Sequence, residues 1–344
     1  MRHSTLIVTT AAIVIWLAGS AAAKPFNNVW VFGDSTVDTG WYEKSPYSGI
    51  PSFDAYFPQS HTDKFGMPTN NPGPMSVQSL AKTLGLSVTS QNRGGTDYAT
   101  GGARNNEKNV SGSGFFVNAV PTIKQITRYM NSNTPSGHDL YVISSGGNDV
   151  SYAVKQVSGG HMTNAQGRAY VTKAANQLAA KLKALQSGGA SHIIVANQPQ
   201  DFGPSTDNTK PYRLLYNTTL QNKLHNESVK YAWGDVNGVR HDIINDPADF
   251  GITNVNNATP ACTTPSSNTG ITTAWAFLCS ASSPVSTPTA QNVATTLFAD
   301  DQHWTSTAQT ILGSYYFCLA KHKWSGAFNG WTMTPPYACS LFGL

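Results

Sequence analysis

The chain has 344 residues and a formal charge of +4; 12% of its residues are charged, 40% hydrophobic and 10% aromatic. The hydrophobic and aromatic content excludes a disordered chain, which lacks the apolar surface needed to fold. The small positive charge, without a run of Lys and Arg, argues against a nucleic-acid partner. The length suits one large domain around a single core.

The first 23 residues have the layout of a secretory signal peptide. Arg2 precedes an apolar stretch at 6–17, and small residues ending in Ala21-Ala22-Ala23 follow. The apolar stretch is shorter than the ~20 residues that span a bilayer, and the Ala-x-Ala ending suits cleavage. We therefore expect a secreted or periplasmic protein with a single mature domain over 24–344, whose charge falls from +4 to +3 when Arg2 is removed.

Four cysteines lie in the last quarter of the chain: Cys262, Cys279, Cys318 and Cys339. In an exported protein an even number of cysteines indicates two disulfides, and the sequence alone allows three pairings. We favour Cys262–Cys279 and Cys318–Cys339, because neighbours in sequence close short loops. Zinc binding is the alternative interpretation, but there is no Cys-x-x-Cys pair.

Strands and helices are predicted to alternate along the mature chain. The first strand is a short apolar run, 29–32, that ends at Gly33-Asp34-Ser35. Apolar periodicity and glycine stops predict helices over 75–86, 119–130, 168–185, 214–236 and 305–319, and strands over 139–144 and 192–197. Pro121 falls in the first turn of the second helix. Residues 253–292, rich in Asn, Thr, Ser and Pro, predict an irregular, disulfide-containing excursion and not a second domain.

This alternation predicts an α/β fold with three layers, in which helices cover both faces of a mostly parallel sheet. Ligands of such sheets bind at the carboxyl ends of the strands. Ser35 and Asn148 each follow a predicted strand directly, so we expect both at that edge.

Ser35 is the most informative residue of this edge, because a serine there can act as a nucleophile. Its hydroxyl would need a base, a group that orients the base, and donors for the oxyanion. Four segments contain such residue types: Gly33-Asp34-Ser35, Gly101-Gly102, Gly146-x-Asn148-Asp149 and Asp300-x-x-His303. Each alone is also typical of turns or helix caps, but the combination favours a catalytic site.

Four motif blocks, in this order, resemble the GDSL family of lipases and esterases, the SGNH hydrolases. The blocks are Phe32-Gly-Asp-Ser-Thr-Val-Asp-Thr-Gly40, Asp97-Tyr-Ala-Thr-Gly-Gly-Ala103, Gly146-Gly-Asn-Asp149 and Phe298-Ala-Asp-Asp-Gln-His-Trp-Thr305. Residues 249–255, followed by Cys262, are similar to bacterial secreted members that include haemolysin-like and acyltransferase-like lipases. The resemblance implies a flavodoxin-like fold. There is no Gly-x-Ser-x-Gly, so an α/β-hydrolase nucleophile elbow is not supported.

The resemblance also implies a catalytic triad. Ser35 is the expected nucleophile, His303 the base and then the acid, and Asp300 the group that holds the imidazole tautomer. Asp301 is the alternative to Asp300, though its spacing to the histidine is poorer. Trp304 stands where the family usually has proline, and its indole is either a wall of an acyl pocket or a buried core residue.

The same resemblance implies an oxyanion hole with three donors. They are the backbone amides of Ser35 and Gly102 and the side-chain amide of Asn148. Gly101 is the alternative to Gly102, because the second block fixes this position only to within one residue.

The expected function is a secreted serine ester hydrolase that works through an acyl-enzyme on Ser35. Acyl transfer to an alcohol and carbohydrate deacetylation would use the same triad, and an inactive carbohydrate-binding module is the non-enzymatic alternative. The expected partner is an ester substrate: a lipid, a small ester or an acylated carbohydrate. We expect a monomer. Transient contact of this monomer with a lipid surface is a further alternative. No cofactor or metal is expected, because the nine histidines are scattered and His-Glu-x-x-His is absent.

Overall fold

A parallel sheet of four strands forms the centre of the fold. The computed structural model describes residues 23–42, 67–70, 73–107, 119–200, 208–263, 276–279, 287–288 and 290–344. The predicted signal peptide therefore lies outside the described residues, except for Ala23. The strands, in their order across the sheet, are β1 (Val29–Gly33), β2 (Leu140–Ser144), β3 (His192–Ala196) and β4 (Ala232–Gly234).

The register of the sheet brings the carboxyl ends of all four strands to one edge. Gly33 lies opposite Ser144, Ser144 opposite Ala196, and Ala196 opposite Gly234. Most side chains of these strands are buried, and those of β1, β2 and β3 include several Val and Ile, as is typical of parallel strands covered on both faces. Residues that directly follow β1 and β2 therefore meet at this edge.

A further segment, 96–100, runs parallel to β1 along its other side. The Tyr98 amide donates to the Val31 carbonyl at 2.9 Å, and the Thr100 amide donates to the Gly33 carbonyl at 3.1 Å. The spatial order is then this segment, β1, β2, β3 and β4, which is the flavodoxin-like order. It brings the turn at Gly101-Gly102 next to the end of β1.

Alternate residues of the strands pack against two separate helical layers. Val31, Val142 and Ile194 belong to one core cluster, whereas Tyr141 and Ile193 belong to the other. The first layer contains α1 (Ser76–Thr83), α6 (Val236–Asn245) and α8 (Ser306–Lys323). The second contains α2 (Thr122–Ser132), α3 (Gly147–Ser158), α4 (Asn164–Ser187) and α5 (Lys210–Asn226). The three-layer α/β fold predicted from the sequence is therefore confirmed.

The predicted helix over 214–236 is wrong in its second half. α5 begins at Lys210 and ends at Asn226, and Ser228 then takes a positive φ of 53°, which a continuing helix does not allow. The Val229 amide closes the helix end by donating to the Leu224 carbonyl at 2.9 Å. The residues that follow form β4, so the apolar run belongs to the sheet.

Two smaller differences concern the start of α2 and the presence of α3. α2 begins at Thr122, so Pro121 stands just before the helix and not in its first turn. α3 was not predicted at all, because its first residues are the Gly147-Asn148-Asp149 of a motif that is also typical of turns.

Both predicted disulfides are present, Cys262–Cys279 and Cys318–Cys339. In the described part of 253–292, β5 (Cys262–Thr263) pairs with β6 (Thr287–Pro288), and α7 (Ala290–Thr295) follows. The two bridges fit a protein of an oxidising environment. Across the described ranges, the helices are all too short or too polar to cross a membrane.

Candidate active site

Ser35 lies just beyond β1, in a turn that the neighbouring strand compresses. Gly33 has a φ of +155°, and a Cβ at this position would lie 1.9 Å from the Ser144 carbonyl oxygen. The Asp34 amide donates to the same carbonyl at 3.0 Å. Only glycine fits this close approach. The turn leaves the Ser35 side chain partly exposed at the carboxyl edge of the sheet.

Gln125, to which we assigned no role from the sequence, holds this turn from α2. Its side-chain oxygen accepts from the Gly33 amide at 2.8 Å, and its nitrogen donates to the Gly33 and Val120 carbonyls at 2.8 and 2.7 Å. The side chain is 1% exposed. A lone Gln in an amphipathic helix gives no sequence signal for such a contact, which joins residues 92 positions apart.

A tight turn brings Asp300 and His303 together. The Asp300 carboxylate accepts from the amides of Gln302 and His303 at 2.9 and 2.6 Å, a local arrangement that Asp favours in turns. The Ala299 amide donates to the His303 carbonyl at 2.7 Å and closes the turn. A third amide, that of Ala276, donates to Asp300 Oδ2 at 2.8 Å.

The three residues of the expected triad form one hydrogen-bonded chain. His303 Nε2 lies 2.9 Å from Ser35 Oγ, and His303 Nδ1 lies 2.8 Å from Asp300 Oδ2. Because an ionised carboxylate only accepts, the neutral imidazole carries its proton on Nδ1 and offers Nε2 to the serine. Asp301, the alternative to Asp300, has an exposed side chain, so the contact to His303 is made by Asp300.

The charges of Asp300 and protonated His303 stabilise one another. Burial lowers the pKa of His303, but the Asp300 charge, their hydrogen bond and the charges of Asp301 and Asp34 raise it more, so the net pKa lies above its usual value. Burial raises the pKa of Asp300, but the His303 charge and the donated hydrogen bonds lower it further, so the net pKa is below its usual value. The carboxylate is therefore ionised at neutral pH and can stabilise an imidazolium.

Gly101 and Gly102 follow the segment that runs along β1, next to the end of the strand that leads to Ser35. The Gly101 amide donates to Asp38 Oδ2 at 2.7 Å, and its carbonyl accepts from the Tyr42 hydroxyl at 2.8 Å. Gly102 has a φ of +78°, which turns the chain at this point. The amide of Gly101, the alternative to Gly102 as an oxyanion donor, is thus engaged by Asp38.

Asn148 is on the first turn of α3, at the end of β2. Its side-chain nitrogen donates to the Ala103 carbonyl at 3.0 Å, which ties it to the turn that contains Gly102. Asp149 fixes the start of the helix: its carboxylate accepts from the Asn105 amide at 2.8 Å and from the Tyr170 hydroxyl at 3.1 Å. Burial raises the pKa of Asp149 to about 7, although these bonds lower it.

Asp34, next to Ser35, holds the local backbone through its carboxylate. It is 1% exposed and accepts from the Thr36 amide at 3.0 Å and the Thr36 hydroxyl at 2.8 Å. Burial raises its pKa, and Thr36 and, to a smaller degree, His303 and Asn148 lower it. It shapes the turn that presents Ser35.

A small cavity of about 50 Å³ opens beside His303. Its walls include Pro199, Val236, Trp304 and Leu312. Trp304 is 5% exposed and belongs to a core cluster, and it also lines this cavity. A cavity of this size has room for a few heavy atoms, since one water needs about 10–15 Å³ on the same scale.

A larger cleft of about 550 Å³ lies elsewhere, and its walls include Lys82, Arg93 and Met333 but neither Ser35 nor His303.

Within the described part of the chain, no group of three or more His, Cys, Asp or Glu side chains is arranged to hold a metal ion. Of the aromatic residues at 41–57, only Trp41 and Tyr42 are among the described residues, and Tyr42 is buried.

Residues 29–315 match the sequence pattern of the family described as GDSL-like Lipase/Acylhydrolase. The chain belongs to this family. The match spans most of the chain and includes all the residues of the hydrogen-bonded triad, so the resemblance seen in the four motif blocks is confirmed.

Curated relatives of this GDSL-like chain include two named enzymes. It is 26% identical to "Lipase 1" of Photorhabdus luminescens over 206 residues, which are 58% of this chain and 26% of that protein. It is 30% identical to "Acetylajmalan esterase 2" of Rauvolfia serpentina over 207 residues, 52% of this chain and 56% of that protein. An uncharacterized protein of Pseudomonas putida is 24% identical over 94% of this chain and 54% of its own length. The chain thus spans at most about half the length of these relatives.

Proposed function

We propose that this GDSL-like protein hydrolyses carboxylic esters through an acyl-enzyme on Ser35. The observation that carries the proposal is the continuous chain from Ser35 Oγ to His303 Nε2 at 2.9 Å and from His303 Nδ1 to Asp300 Oδ2 at 2.8 Å. A nucleophile within hydrogen-bonding distance of a base that a third group orients is the arrangement such catalysis requires. The names of the lipase and esterase relatives agree with it.

In the proposed reaction, Ser35 Oγ attacks the ester carbonyl carbon while its proton moves to His303 Nε2. The imidazolium so formed is stabilised by the Asp300 carboxylate. His303 then gives the proton to the departing alkoxide, and the alcohol leaves. Water repeats the sequence: its proton moves to Nε2, its oxygen attacks the acyl carbon, and the proton returns to Ser35 Oγ as the acid leaves.

The negative oxygen of each tetrahedral intermediate would lie among the amides of Ser35 and Gly102 and the side chain of Asn148. The Asn148 nitrogen has two hydrogens: one is donated to the Ala103 carbonyl, and the other, which interacts with the Asp34 carboxylate, would be shared with the oxyanion. Donors fixed in advance stabilise developing charge without a reorganisation cost. The contacts of Asn148 and of Gly101 support such a fixed arrangement.

We also propose that residues 24–344 form one exported domain after removal of 1–23. The two disulfides support an oxidising compartment. Intact mass of the protein collected from the periplasm or medium of an expressing host tests this. The expected mass is that of the chain without residues 1–23 and with both bridges formed; a retained leader would contradict it.

Hydrolysis of a short-chain nitrophenyl ester tests the proposed activity. The wild-type protein should turn over the ester, and Ser35→Ala and His303→Ala should each lower kcat by about 10⁴-fold or more while the fold is kept. Circular dichroism checks the fold of each variant. Wild-type turnover by Ser35→Ala would contradict the mechanism.

A further inference from the structure

The turn Ala276–Cys279 reaches the proposed active site from a distant part of the chain. Its Ala276 amide donates to Asp300 Oδ2 at 2.8 Å. The other two amides that donate to this carboxylate, those of Gln302 and His303, come from the Asp300 turn itself. Ala276 therefore supplies the bond that ties the Asp300 carboxylate to a second segment.

The next residue, Phe277, contacts both halves of the site. Its ring meets the His303 ring edge-on, with centroids 5.5 Å apart and planes at 82°. A Cβ placed on Gly101 would lie 2.6 Å from Phe277 Cζ, so the same ring packs directly on the turn that contains Gly102. Phe277 is 3% exposed. One aromatic ring thus contacts both the proposed base and the turn of the candidate oxyanion donor.

The Cys262–Cys279 disulfide fastens this turn to the segment that leads to Asp300. The Cys262 amide donates to the Ala299 carbonyl at 3.0 Å, and the Ala261 amide donates to the Phe298 carbonyl at 2.9 Å. Cys262, Ala276, Cys279 and Ala299 form one buried cluster. The disulfide therefore joins the Ala276–Cys279 turn to a backbone already hydrogen-bonded beside the triad.

We propose that Phe277 and the Ala276 amide, held in place by the Cys262–Cys279 disulfide, position His303, Asp300 and the Gly101-Gly102 turn for catalysis. This role rests on the proposed ester hydrolysis. Phe277 is a positioning residue, because it acts through the imidazole and the glycine turn. The second disulfide, Cys318–Cys339, lies at the end of α8 and takes no part.

The two disulfides supply a matched pair of variants. They close loops of similar size, with separations of 17 and 21 residues, so removing either one should cost similar stability. Assayed where both are folded, the double variant C262S/C279S should lose about tenfold or more in kcat with KM little changed, because the base and donors are displaced. C318S/C339S should keep kcat. Equal losses of kcat in the two variants would overturn the proposal.

Substitution of the ring tests Phe277 separately. Phe277→Ala should lower kcat more than KM changes, and Phe277→Leu, which refills most of the space, should recover most of the loss. The control is Phe328→Ala, another buried phenylalanine, which packs against Phe26 and Phe317, away from the triad. If Phe277→Ala and Phe328→Ala have the same kcat, the positioning role of Phe277 is wrong.

A measurement independent of turnover separates this role from the proposed function. The downfield proton resonance of His303 Nδ1–H, followed by NMR at low pH, reports the bond to Asp300 directly. It should persist in the wild type and in C318S/C339S and should be lost or broadened in C262S/C279S. If it is unchanged in C262S/C279S, the positioning role is wrong. If the wild type hydrolyses no ester, the proposed function is wrong, and this resonance still decides the positioning role.

Discussion

His303 carries out two proton transfers in the proposed reaction, and its surroundings set the pH at which it can do so. The base must be neutral to accept the serine proton. Burial alone would lower the pKa of His303, but Asp300 and the neighbouring carboxylates raise it above the usual value. The proposed enzyme therefore loses its base as the pH falls through this raised pKa.

The pH profile of kcat/KM should accordingly have an acid limb whose midpoint lies above the ordinary histidine value of about 6.5. Asp300→Asn removes the charge that raises the pKa, so the midpoint should move down, and kcat should fall by about 10⁴-fold because the tautomer is no longer held. The rate is measured across pH 5 to 9 with a nitrophenyl ester. A profile flat on the acid side, or the same midpoint in Asp300→Asn, would count against the assignment.

Asn148 is the side-chain member of the proposed oxyanion hole. Asn148→Ala should lower kcat by about 10²–10³-fold with a small change in KM, because the donor is most needed when the oxyanion forms. The change also removes the bond to the Ala103 carbonyl, so thermal unfolding is measured alongside. Unchanged kcat in a folded Asn148→Ala variant would exclude this residue from the hole.

The strands place the proposed catalytic groups at one edge of the sheet through close backbone packing. The end of β1 is pressed against the end of β2, where the Ser144 carbonyl lies 1.9 Å from the Cβ position of Gly33. Gln125 of α2 and the Thr100 amide hold the same glycine. The position of the proposed nucleophile thus depends on three elements that meet at Gly33.

Gly33→Ala should destabilise the protein by about 2–5 kcal/mol, because the new methyl group overlaps the Ser144 carbonyl and the positive φ disfavours alanine. The matched control is Gly326→Ala, where a Cβ meets nothing within 4 Å. Urea denaturation of both variants measures the free energy of unfolding. The packing argument fails if both variants lose the same small amount.

Local sequence patterns predict an element correctly where the interactions that determine it are also local. The helix over 168–185 was predicted within the longer Asn164–Ser187, since its apolar stripe is continuous. The stretch after Asn226 was misassigned, because its apolar residues suit a helix and a buried strand equally. These residues form β4 because they pair with β3, and the sequence of the segment itself does not show that pairing.

For the whole molecule, the order of strands and helices was enough to predict a three-layer fold with Ser35 and Asn148 at one edge. The motif blocks pointed to Asp300 and His303, and the structure brings both to Ser35. Cysteine spacing predicted both bridges, but not that Cys262–Cys279 joins segments that contact Asp300 and His303. The contacts of Gln125 and Phe277 join distant parts of the chain through packing, which no local pattern encodes.

Covalent labelling of Ser35 tests the central claim most directly. A fluorophosphonate reacts with a serine whose hydroxyl is activated by a neighbouring base, so the wild-type protein should gain one adduct, mapped by peptide mass spectrometry to Ser35. Labelling should be strongly slowed in His303→Ala and absent in Ser35→Ala. A folded wild-type protein that does not react, or that reacts at another serine, would contradict the account.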